Sequence, residues 1–397
     1  MKKHLLTVAL AAALATSGFA NAAQTIKIGV ILGFTGPIES LTPDMAASAE
    51  LAFKEASDSG MLLNGSTITP IRADSTCVDA SAATAAAERL ITADKVAAIM
   101  GADCSGVTTA IANSVAIPNG VVMVSPSATT PALSSIEDKG FFFRTAPSDA
   151  RQGQVLADAV FESGTKIIAV TYTNNDYGKG LSDAFIGAFK ALGGKIAIVA
   201  AHEDGKGDYS AEVAALAAAG ADKLAVLGYL DQGGKGIIQA SLDTGAFDSF
   251  ALGDGMIGQS LIDAFGKDMV DTIATSPGGS SDAMTNFISL AKANKIGGEG
   301  PYDGTSYDAG ALIVLAIQAG GTADRASIQA NMNKVANAPG TKIYPGELKK
   351  ALEILTAGGE VDYVGATNIE FSDVGEVYGT YRQLEIKDNK FSLVKVR

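Results

Sequence analysis

Short apolar runs alternate with amphipathic segments along most of the chain. The runs have the length and character of buried parallel strands, and the segments between them repeat their apolar side chains with the period of a helix. This alternation predicts an open sheet with right-handed crossovers. In the first part of the chain we predict strands at 26–32, 68–73, 95–100 and 120–124, and helices at 43–59 and 80–93.

The same rhythm starts again after a short strand-like run at 141–145 and a helix start at Pro147-Ser148-Asp149. A Gly/Ser/Pro cluster at 276–281 then indicates a crossing back towards the first part. The pattern therefore predicts an α/β protein of two lobes joined by several crossings, with a cleft between them. Strands are predicted at 167–172, 195–200, 223–227, 250–253 and 272–275, helices at 178–191, 209–219, 232–244, 283–294, 306–319 and 324–336, and a last hairpin at 378–387 and 391–396.

The first residues have the pattern of a secretory signal peptide. Lys2 and Lys3 precede an apolar stretch at 5–19 and a small-x-small site at residues 20–22, so we predict cleavage after Ala22 or Ala23. Without the two lysines the formal net charge changes from −13 to −15. A strongly negative exported protein is a poor partner for nucleic acid.

The two cysteines, Cys77 and Cys104, lie in a chain bound for an oxidising compartment. A disulfide is the default interpretation, and a catalytic cysteine is the alternative. The only histidine after the predicted signal peptide is His202, which the pattern places in a polar loop. This scarcity argues against most metal sites and against a Ser-His triad.

Hydroxyl side chains follow two neighbouring predicted strands in the first lobe. Ser105 comes after the strand that ends at residue 100, and Ser127 and Thr129 come after the next one. Because the carboxyl ends of parallel strands share one edge of a sheet, these groups should face one crevice, where hydroxyls and backbone N–H groups can bind a carboxylate. The alternative is that Ser105 and Thr129 are only helix N-caps.

The second lobe offers one carboxylate and two aromatic residues at strand ends. Asp254 lies in residues 253–258, which match G-x-G-x-x-G, but no acidic residue follows at the spacing that a dinucleotide ribose requires. Asp254 is then either the cap of the next turn or a counter-ion in the cleft. Tyr177 and Tyr229 also follow strands, and they either cover the loop or contact a ligand.

Six segments, taken in their order and spacing, carry a resemblance to a known family. They are IKIGVILGFTGP (26–37), GADCSG (101–106) together with Cys77, VSPSATTP (124–131), FFFRTAPSDARQG (141–153), NDYGKG (175–180) and GDG (253–255). The chain resembles the periplasmic solute-binding proteins of branched-chain amino acid uptake transporters, the leucine/isoleucine/valine-binding type.

The resemblance implies two Rossmann-like, doubly wound lobes joined by a three-crossing hinge, the type I periplasmic binding fold, with a disulfide between Cys77 and Cys104. It implies that Ser105, with groups of Ala128 and Thr129, binds the ligand α-carboxylate. Thr129 and Asp254 would bind the α-ammonium, and Tyr177 would close over the ligand. Ser127 and Tyr229 complete the predicted ligand site.

The chain departs from the family at three positions. Leu41 stands where an aromatic residue is familiar, Leu230 stands where a second tyrosine often follows Tyr229, and Asp254 replaces a longer Glu. These departures concern mainly the part of the pocket that would hold the ligand side chain.

The sequence therefore predicts a monomeric periplasmic solute-binding protein, without enzymatic activity, cofactor or metal, that delivers a small aliphatic amino acid to an ABC permease. One alternative keeps the fold and binds an amide, urea or an aromatic carboxylate. Another is an exported hydrolase that uses Ser105 and needs a nearby base. The predicted bounds are 1–22 for the signal peptide, 23–145 plus 278–370 for lobe 1, and 146–277 plus 371–397 for lobe 2.

Overall fold

The computed structural model describes residues 23–397, so the predicted signal peptide lies outside the described residues. The first sheet has five parallel strands in the order β2-β1-β3-β4-β5. With the helices packed on it, this sheet forms the first lobe. Its strands are β1 (Thr25–Leu32), β2 (Thr67–Asp74), β3 (Ala98–Gly101), β4 (Val122–Ser125) and β5 (Phe142–Arg144).

The second sheet has seven strands and forms the second lobe with its own helices. Five parallel strands carry an antiparallel hairpin at one edge, in the order β14-β13-β10-β9-β8-β6-β7. A parallel pair, β11 (Thr341–Ile343) and β12 (Val361–Tyr363), stands apart from both sheets. The second sheet contains β6 (Ile167–Thr173), β7 (Lys195–His202), β8 (Lys223–Leu227), β9 (Phe250–Leu252), β10 (Ile273–Pro277), β13 (Tyr381–Lys387) and β14 (Lys390–Val396).

The helices follow the predicted rhythm, with two more than the pattern indicated, at 259–265 and 348–356. No helix in residues 23–397 is both long and apolar enough to cross a membrane. The helices are α1 (Thr42–Asp58), α2 (Ala80–Thr92), α3 (Ser105–Ile111), α4 (Asp149–Glu162), α5 (Asp176–Ala191), α6 (Ser210–Ala217), α7 (Gly233–Thr244), α8 (Gln259–Phe265), α9 (Asp282–Ala293), α10 (Asp303–Gly320), α11 (Arg325–Ala336) and α12 (Leu348–Thr356).

Helix α10 shows how the first lobe builds its core. Its residues Asp303 to Gln318 are all buried, because α1, α11 and α12 pack around it and its inner face lies against β3 and β4. A helix that is apolar on most sides needs neighbours on most sides. The predicted return of this part of the chain to the first lobe is therefore what completes that lobe.

The chain passes between the lobes three times. The first two crossings lie between β5 and α4 and between β10 and α9, near the predicted positions. The third crossing follows residue 377, because Phe371 and Val377 belong to the first lobe's core and the backbone N–H of Arg144 donates to Gly375 (3.0 Å). The predicted bound at residue 370 lies before this segment. The segment forms only isolated β-bridges, which leave no periodic hydrophobic pattern in the sequence.

Candidate functional site

The carboxyl ends of the two sheets face each other across a narrow crevice. The strand order reverses between β1 and β3 in one sheet and between β6 and β8 in the other, the positions where open α/β sheets bind ligands. The innermost space, here named the inner cavity, has a volume of about 10 Å3, room for about one water molecule. The lobes are therefore closed on each other. The lining residues are Ile38, Asp103, Cys104, Ser105, Ser127, Tyr177, Tyr229, Gly255 and Tyr302.

Ser105 joins the two predicted hydroxyl loops of the first lobe. It is the first residue of α3, and its Oγ accepts hydrogen bonds from the backbone N–H groups of Thr129 (3.2 Å) and Thr130 (3.1 Å). Cys104 occupies the cap position of α3, and Thr130 precedes the short 3₁₀ helix at 131–135. The N-cap interpretation of Ser105 and Thr129 is therefore wrong.

The other hydroxyls on this wall are also paired with the backbone. Ser127 Oγ donates to the carbonyl oxygen of Asp103 (3.1 Å), and Ser125 Oγ accepts from the N–H of Ala128 (3.0 Å). Ala128 itself is fully buried and does not line the inner cavity. The hydroxyls of the first-lobe wall are thus paired with the backbone around them, and Asp103 is the carboxylate that lines the cavity from this lobe.

A disulfide and a buried aspartate hold the loops of this wall. Cys77 and Cys104 are bonded, with Cα atoms 5.1 Å apart, which ties the loop after β2 to the start of α3. Asp103 accepts from the N–H of Gly33 (2.5 Å), the hydroxyl of Ser75 (3.0 Å) and the N–H of Cys104 (2.9 Å). Burial raises the pKa of Asp103, and these three donors oppose the rise.

Next to Gly255, which lines the inner cavity, the second lobe holds a buried carboxylate. Asp254 is fully buried, and its Oδ1 accepts from the hydroxyl of Tyr177 (2.8 Å) and from the N–H of Gly255 (3.0 Å). Its Oδ2 has no hydrogen-bond partner of ordinary geometry. Burial raises the pKa of Asp254, and the hydroxyls of Tyr177 and Tyr302, the N–H of Gly255 and the Gln152 side chain oppose this rise.

The glycines on both sides of Asp254 allow Tyr177 to approach it. A Cβ atom at Gly253 would lie 3.0 Å from the Tyr177 hydroxyl and 2.7 Å from Leu181, and one at Gly255 would lie 2.9 Å from the same hydroxyl. The sequence Gly-Asp-Gly therefore reflects close packing around the carboxylate. Helix α5 begins two residues before the predicted start at 178, so Tyr177 is its second residue.

Three tyrosines surround the inner cavity. The rings of Tyr177 and Tyr229 are stacked, with centroids 5.0 Å apart and planes 16° from parallel. Tyr302, which sequence reasoning missed, lines the cavity just before α10. It also borders a second crevice of about 740 Å3 between the lobes. The sequence signal for Tyr302 is its position directly after Gly300-Pro301, at the start of a helix that follows a crossing between the lobes.

A second buried carboxylate, Asp149, was also missed as a site residue. It is the first residue of α4, is fully buried, and donates its backbone N–H to the carbonyl oxygen of Thr129 (2.8 Å). Neither carboxylate oxygen has a hydrogen-bond partner of ordinary geometry. The motif Pro147-Ser148-Asp149 indicated only a helix start, because an acidic residue is common in a first helical turn.

Direct contacts hold the lobes together beside the cavity. Asp231, after β8, donates its N–H to the carbonyl oxygen of Pro37 (2.8 Å), and its Oδ2 accepts from the N–H of Ser40 (2.8 Å). Its Oδ1 accepts from Ser260 of α8 (3.3 Å). These bonds, here named the Asp231 bridge, join the loop after β1 to the second lobe.

Three residues singled out from the sequence lie elsewhere. Leu41 and Leu230 approach each other near Gly258 and do not line the inner cavity. His202 ends β7 and does not lie in a polar loop; it is buried, and its Nδ1 pairs with the hydroxyl of Thr171 (2.8 Å). Burial lowers the pKa of His202 to about 4. Ser105 has no hydrogen bond to this histidine in the described part of the chain.

Residues 25–347 match the protein family described as periplasmic binding protein. A Brucella melitensis protein named Leu/Ile/Val-binding protein homolog 3 is 31% identical over 341 residues, which cover 82% of this chain and 87% of that protein. A Pseudomonas aeruginosa leucine-, isoleucine-, valine-, threonine- and alanine-binding protein is 30% identical over 322 residues, which cover 79% and 84%.

Solved structures show the same fold. The branched-chain amino acid transporter substrate-binding protein LivJ of Streptococcus pneumoniae, in complex with isoleucine, superimposes with a TM-score of 0.76 at 22% identity, over 94% of this chain and 99% of that one. The predicted two-lobe fold with a three-crossing hinge is confirmed by this likeness and by the two sheets described above.

Proposed function

This chain belongs to the periplasmic binding protein family, and we propose that it captures a small aliphatic amino acid between its lobes and delivers it to an ABC permease. One observation carries the proposal: Asp254 Oδ2 is buried and unpartnered, and Asp254 adjoins Gly255, which lines the inner cavity together with Ser105. An ammonium group that loses its water in a closed cleft must be paired with charge or strong acceptors. Asp254 offers that pairing.

In the proposed complex the two walls bind the two charged groups of one ligand. The carboxylate lies on the first-lobe wall, near Ser105 and Ser127, with groups of Ala128 and Thr129 behind them. The ammonium lies between Thr129 Oγ1, which is buried and unpartnered, and Asp254. Because the inner cavity holds about one water molecule, the lobes must part to admit a ligand and then close around it.

The aromatic residues support an apolar side-chain pocket. Tyr177 and Tyr229 present stacked rings, and Ile38 lines the same space from the first lobe. An aliphatic side chain gains about 0.8 kcal/mol for each CH2 group that such a surface removes from water. The names of the Brucella and Pseudomonas relatives, which state branched-chain ligands, support the same ligand class.

The remaining parts of the proposal concern processing and assembly. We propose cleavage of residues 1–22, location in the periplasm, a monomeric state, and lobes bounded near residues 145, 277 and 377. Intact-mass measurement of the secreted protein tests the cleavage site, and light scattering behind size-exclusion chromatography tests the monomer. A mass that includes residues 1–22, or a dimer at micromolar concentration, would contradict these parts alone.

The ligand is tested by a thermal-shift panel followed by calorimetry. The panel contains the twenty amino acids, acetamide, urea and 4-hydroxybenzoate, and we expect the largest shift from leucine, isoleucine, valine or alanine. Binding of 4-hydroxybenzoate without binding of any amino acid would overturn the proposal, because Asp254 would then face an anion without an ammonium.

The hydrolase alternative has its own test. Ser105 Oγ accepts two backbone hydrogen bonds, and the buried His202 is paired with Thr171, so a base positioned for Ser105 is not among the contacts of the described residues. Incubation with p-nitrophenyl acetate and simple amides should show no turnover above the Ser105→Ala variant. Turnover that the Ser105→Ala substitution abolishes would favour the hydrolase.

A further inference from the structure

One peptide group of the first-lobe wall is held at both of its ends. It joins Ala128 to Thr129 in the loop after β4, and its N–H donates to Ser105 Oγ (3.2 Å). Its carbonyl oxygen accepts from Nη1 of Arg144 (3.3 Å). The N–H and C=O bonds of a planar trans peptide point in opposite directions. The two partners therefore turn the positive end of this group towards Ser105 and its negative end towards the arginine.

The next peptide group is held in the same way. It joins Thr129 to Thr130, its N–H donates to Ser105 Oγ (3.1 Å), and its carbonyl oxygen accepts from the backbone N–H of Asp149 (2.8 Å). The carbonyl oxygen of Thr130 then accepts from Arg144 Nη1 (2.9 Å). Two N–H groups thus converge on one hydroxyl oxygen, while the carbonyl oxygens beside them are bonded to other donors.

These contacts decide the role of the Ser105 hydroxyl. A serine hydroxyl has two acceptor lone pairs and one O–H donor, and the N–H groups of Thr129 and Thr130 occupy its acceptor side. Within residues 23–397, no hydrogen bond has this hydroxyl as its donor. Ser105 lines the inner cavity. Its O–H is therefore left to donate to an acceptor in the cavity, such as a carboxylate oxygen.

Arg144 is a buried arginine that its neighbours hold in one orientation. It is 1% exposed and does not line the inner cavity. Its Nε (3.0 Å) and Nη2 donate to the carboxylate of Glu376, and Nη2 also donates to Ser134 Oγ (2.8 Å). Ser134 Oγ in turn donates to Glu376 (2.8 Å). The glutamate and the serine thus fix the guanidinium, and Nη1 remains for the two carbonyl oxygens of the loop.

We propose that Arg144 is a positioning residue for the ligand carboxylate and acts through the Ala128–Thr129 peptide group and the Ser105 hydroxyl. This inference rests on the proposed amino acid ligand. Hydrogen bonds in such a chain polarise one another, so the Ser105 O–H becomes a stronger donor to the carboxylate. The carbonyl oxygens of Ala128 and Thr130, which would repel an anion, stay bonded to the arginine. The buried cation thus favours an anionic ligand group without touching it.

The experiment compares L-leucine with L-leucinamide, which lacks the carboxylate. The variant combines Arg144→Met with Glu376→Gln, because removal of both charges leaves neither one buried and unpaired. Calorimetry of the mature variant at about pH 7 should show that the affinity for leucine falls by about 10- to 100-fold, since a hydrogen bond to a charged group is weakened. The affinity for leucinamide should fall by at most about threefold, because its carbonyl group is neutral.

Two control variants assign the effect to the contacts of Nη1. Arg325→Met removes another first-lobe arginine that donates to backbone carbonyl oxygens, those of Ile91 (3.3 Å) and Val96 (3.0 Å), but does not line the inner cavity. It should keep the wild-type affinity for both ligands. Glu376→Gln alone keeps the Nη1 contacts and should weaken leucine binding by less than about threefold.

Three results would overturn the inference. They are an unchanged leucine affinity in the double variant, equal losses for leucine and leucinamide, and the full loss of affinity from Glu376→Gln alone. Equal losses would indicate general damage to the fold, and the last result would assign the effect to the ion pair instead of the Arg144 contacts with the loop.

A ligand-free measurement separates this inference from the ligand proposal. The N–H of Thr129 belongs to the peptide group that Arg144 holds at its other end. Its hydrogen exchange, followed by NMR, should be at least about tenfold faster in the double variant than in wild type, and Arg325→Met should leave it unchanged. An unchanged exchange rate in the double variant would overturn the inference. If leucine does not bind to wild type, the ligand proposal fails, and the exchange rate still decides whether Arg144 positions the loop.

Discussion

The two walls of the crevice differ in how many of their polar groups already have hydrogen-bond partners. On the first-lobe wall, the hydroxyls of Ser105 and Ser127 are paired with nearby backbone groups, Asp103 accepts from three donors, and a disulfide ties the loops together. The second lobe instead buries two carboxyl groups, Asp149 and Asp254, that hold unpartnered oxygens. One wall is preorganised before a ligand arrives, whereas the other keeps acceptor oxygens that a ligand can still use. The comparison indicates that shape selection resides in the first lobe and charge selection in the second.

Replacement of the Asp254 carboxylate should have the largest effect on ligand affinity. Asp254→Asn keeps the shape of the side chain and should cost about 2–5 kcal/mol of amino acid binding, the usual penalty for breaking a buried charged pair. Affinity would then fall by about 30-fold to several thousand-fold. Thermal stability without ligand at neutral pH should hold or rise, because the substitution removes a buried carboxylate. Unchanged affinity by calorimetry in a folded variant would remove Asp254 from the site.

Loosening the first wall tests whether its preorganisation matters. Reduction of Cys77–Cys104, which closes a 27-residue separation, should lower the free energy of unfolding by about 3–4 kcal/mol on the chain-entropy model. It should also weaken binding, because Cys104 adjoins Ser105. Urea unfolding with and without reductant measures the first effect. The Cys77→Ala, Cys104→Ala double variant is the control, and reductant should leave it unchanged.

Joining the two walls with a ligand should stabilise the closed molecule. A ligand that binds only the folded protein adds about 2.7 kcal/mol to the free energy of unfolding at 100 times its Kd. The radius of gyration should decrease as the lobes close, since the ligand-free protein must open to admit its ligand. X-ray scattering that is identical with and without a ligand confirmed by calorimetry would contradict a hinge.

Breaking the Asp231 bridge is expected to have the smallest effect on affinity. The effect should be the same for every ligand. Asp231→Ala removes the carboxylate that accepts from Ser40 and Ser260, which should weaken closure by about 0.5–1.5 kcal/mol. Affinity for leucine and for alanine should fall by the same factor, about 2- to 10-fold, mainly through faster dissociation. Asp243→Asn, on the exposed face of α7, is the control. A change in the ratio of the two affinities would assign Asp231 to the ligand pocket.

The regular part of the fold was predictable because its strands are short buried apolar runs and many of its helices repeat their buried side chains with the helical period. Helix α12 has such a period too, with Leu348, Ala351 and Leu352 buried, but it was not separated from the loops beside it. The short strand pair β11–β12 depends on contact between two separate segments of the chain and leaves no local sequence pattern. The third crossing was misplaced by a few residues for the same reason.

Four residues that were singled out because they follow strands line the inner cavity, although Ser105 and Tyr177 also lie in the first turn of a helix. Ser105, Ser127, Tyr177 and Tyr229 all come to the inner cavity. Asp149 escaped because its place in a first helical turn has an ordinary explanation, and only the fold shows that its oxygens have no partner. Ser105 and Ser125 already accept hydrogen bonds from backbone N–H groups of the loop that follows β4. These contacts could not be predicted from the sequence, because they depend on how the loops fold.

The Asp231 bridge gives the protein a way to adjust its sensitivity without changing what it recognises. Pro37 and Ser40 contribute backbone groups to it, so its strength does not depend on the identity of the bound molecule. The apparent affinity of a two-state receptor is its intrinsic affinity reduced by the fraction of competent molecules. Substitutions at residue 231 or in the loop at 36–41 would thus raise or lower the working concentration range for all ligands together, which lets threshold and selectivity change independently over evolutionary time.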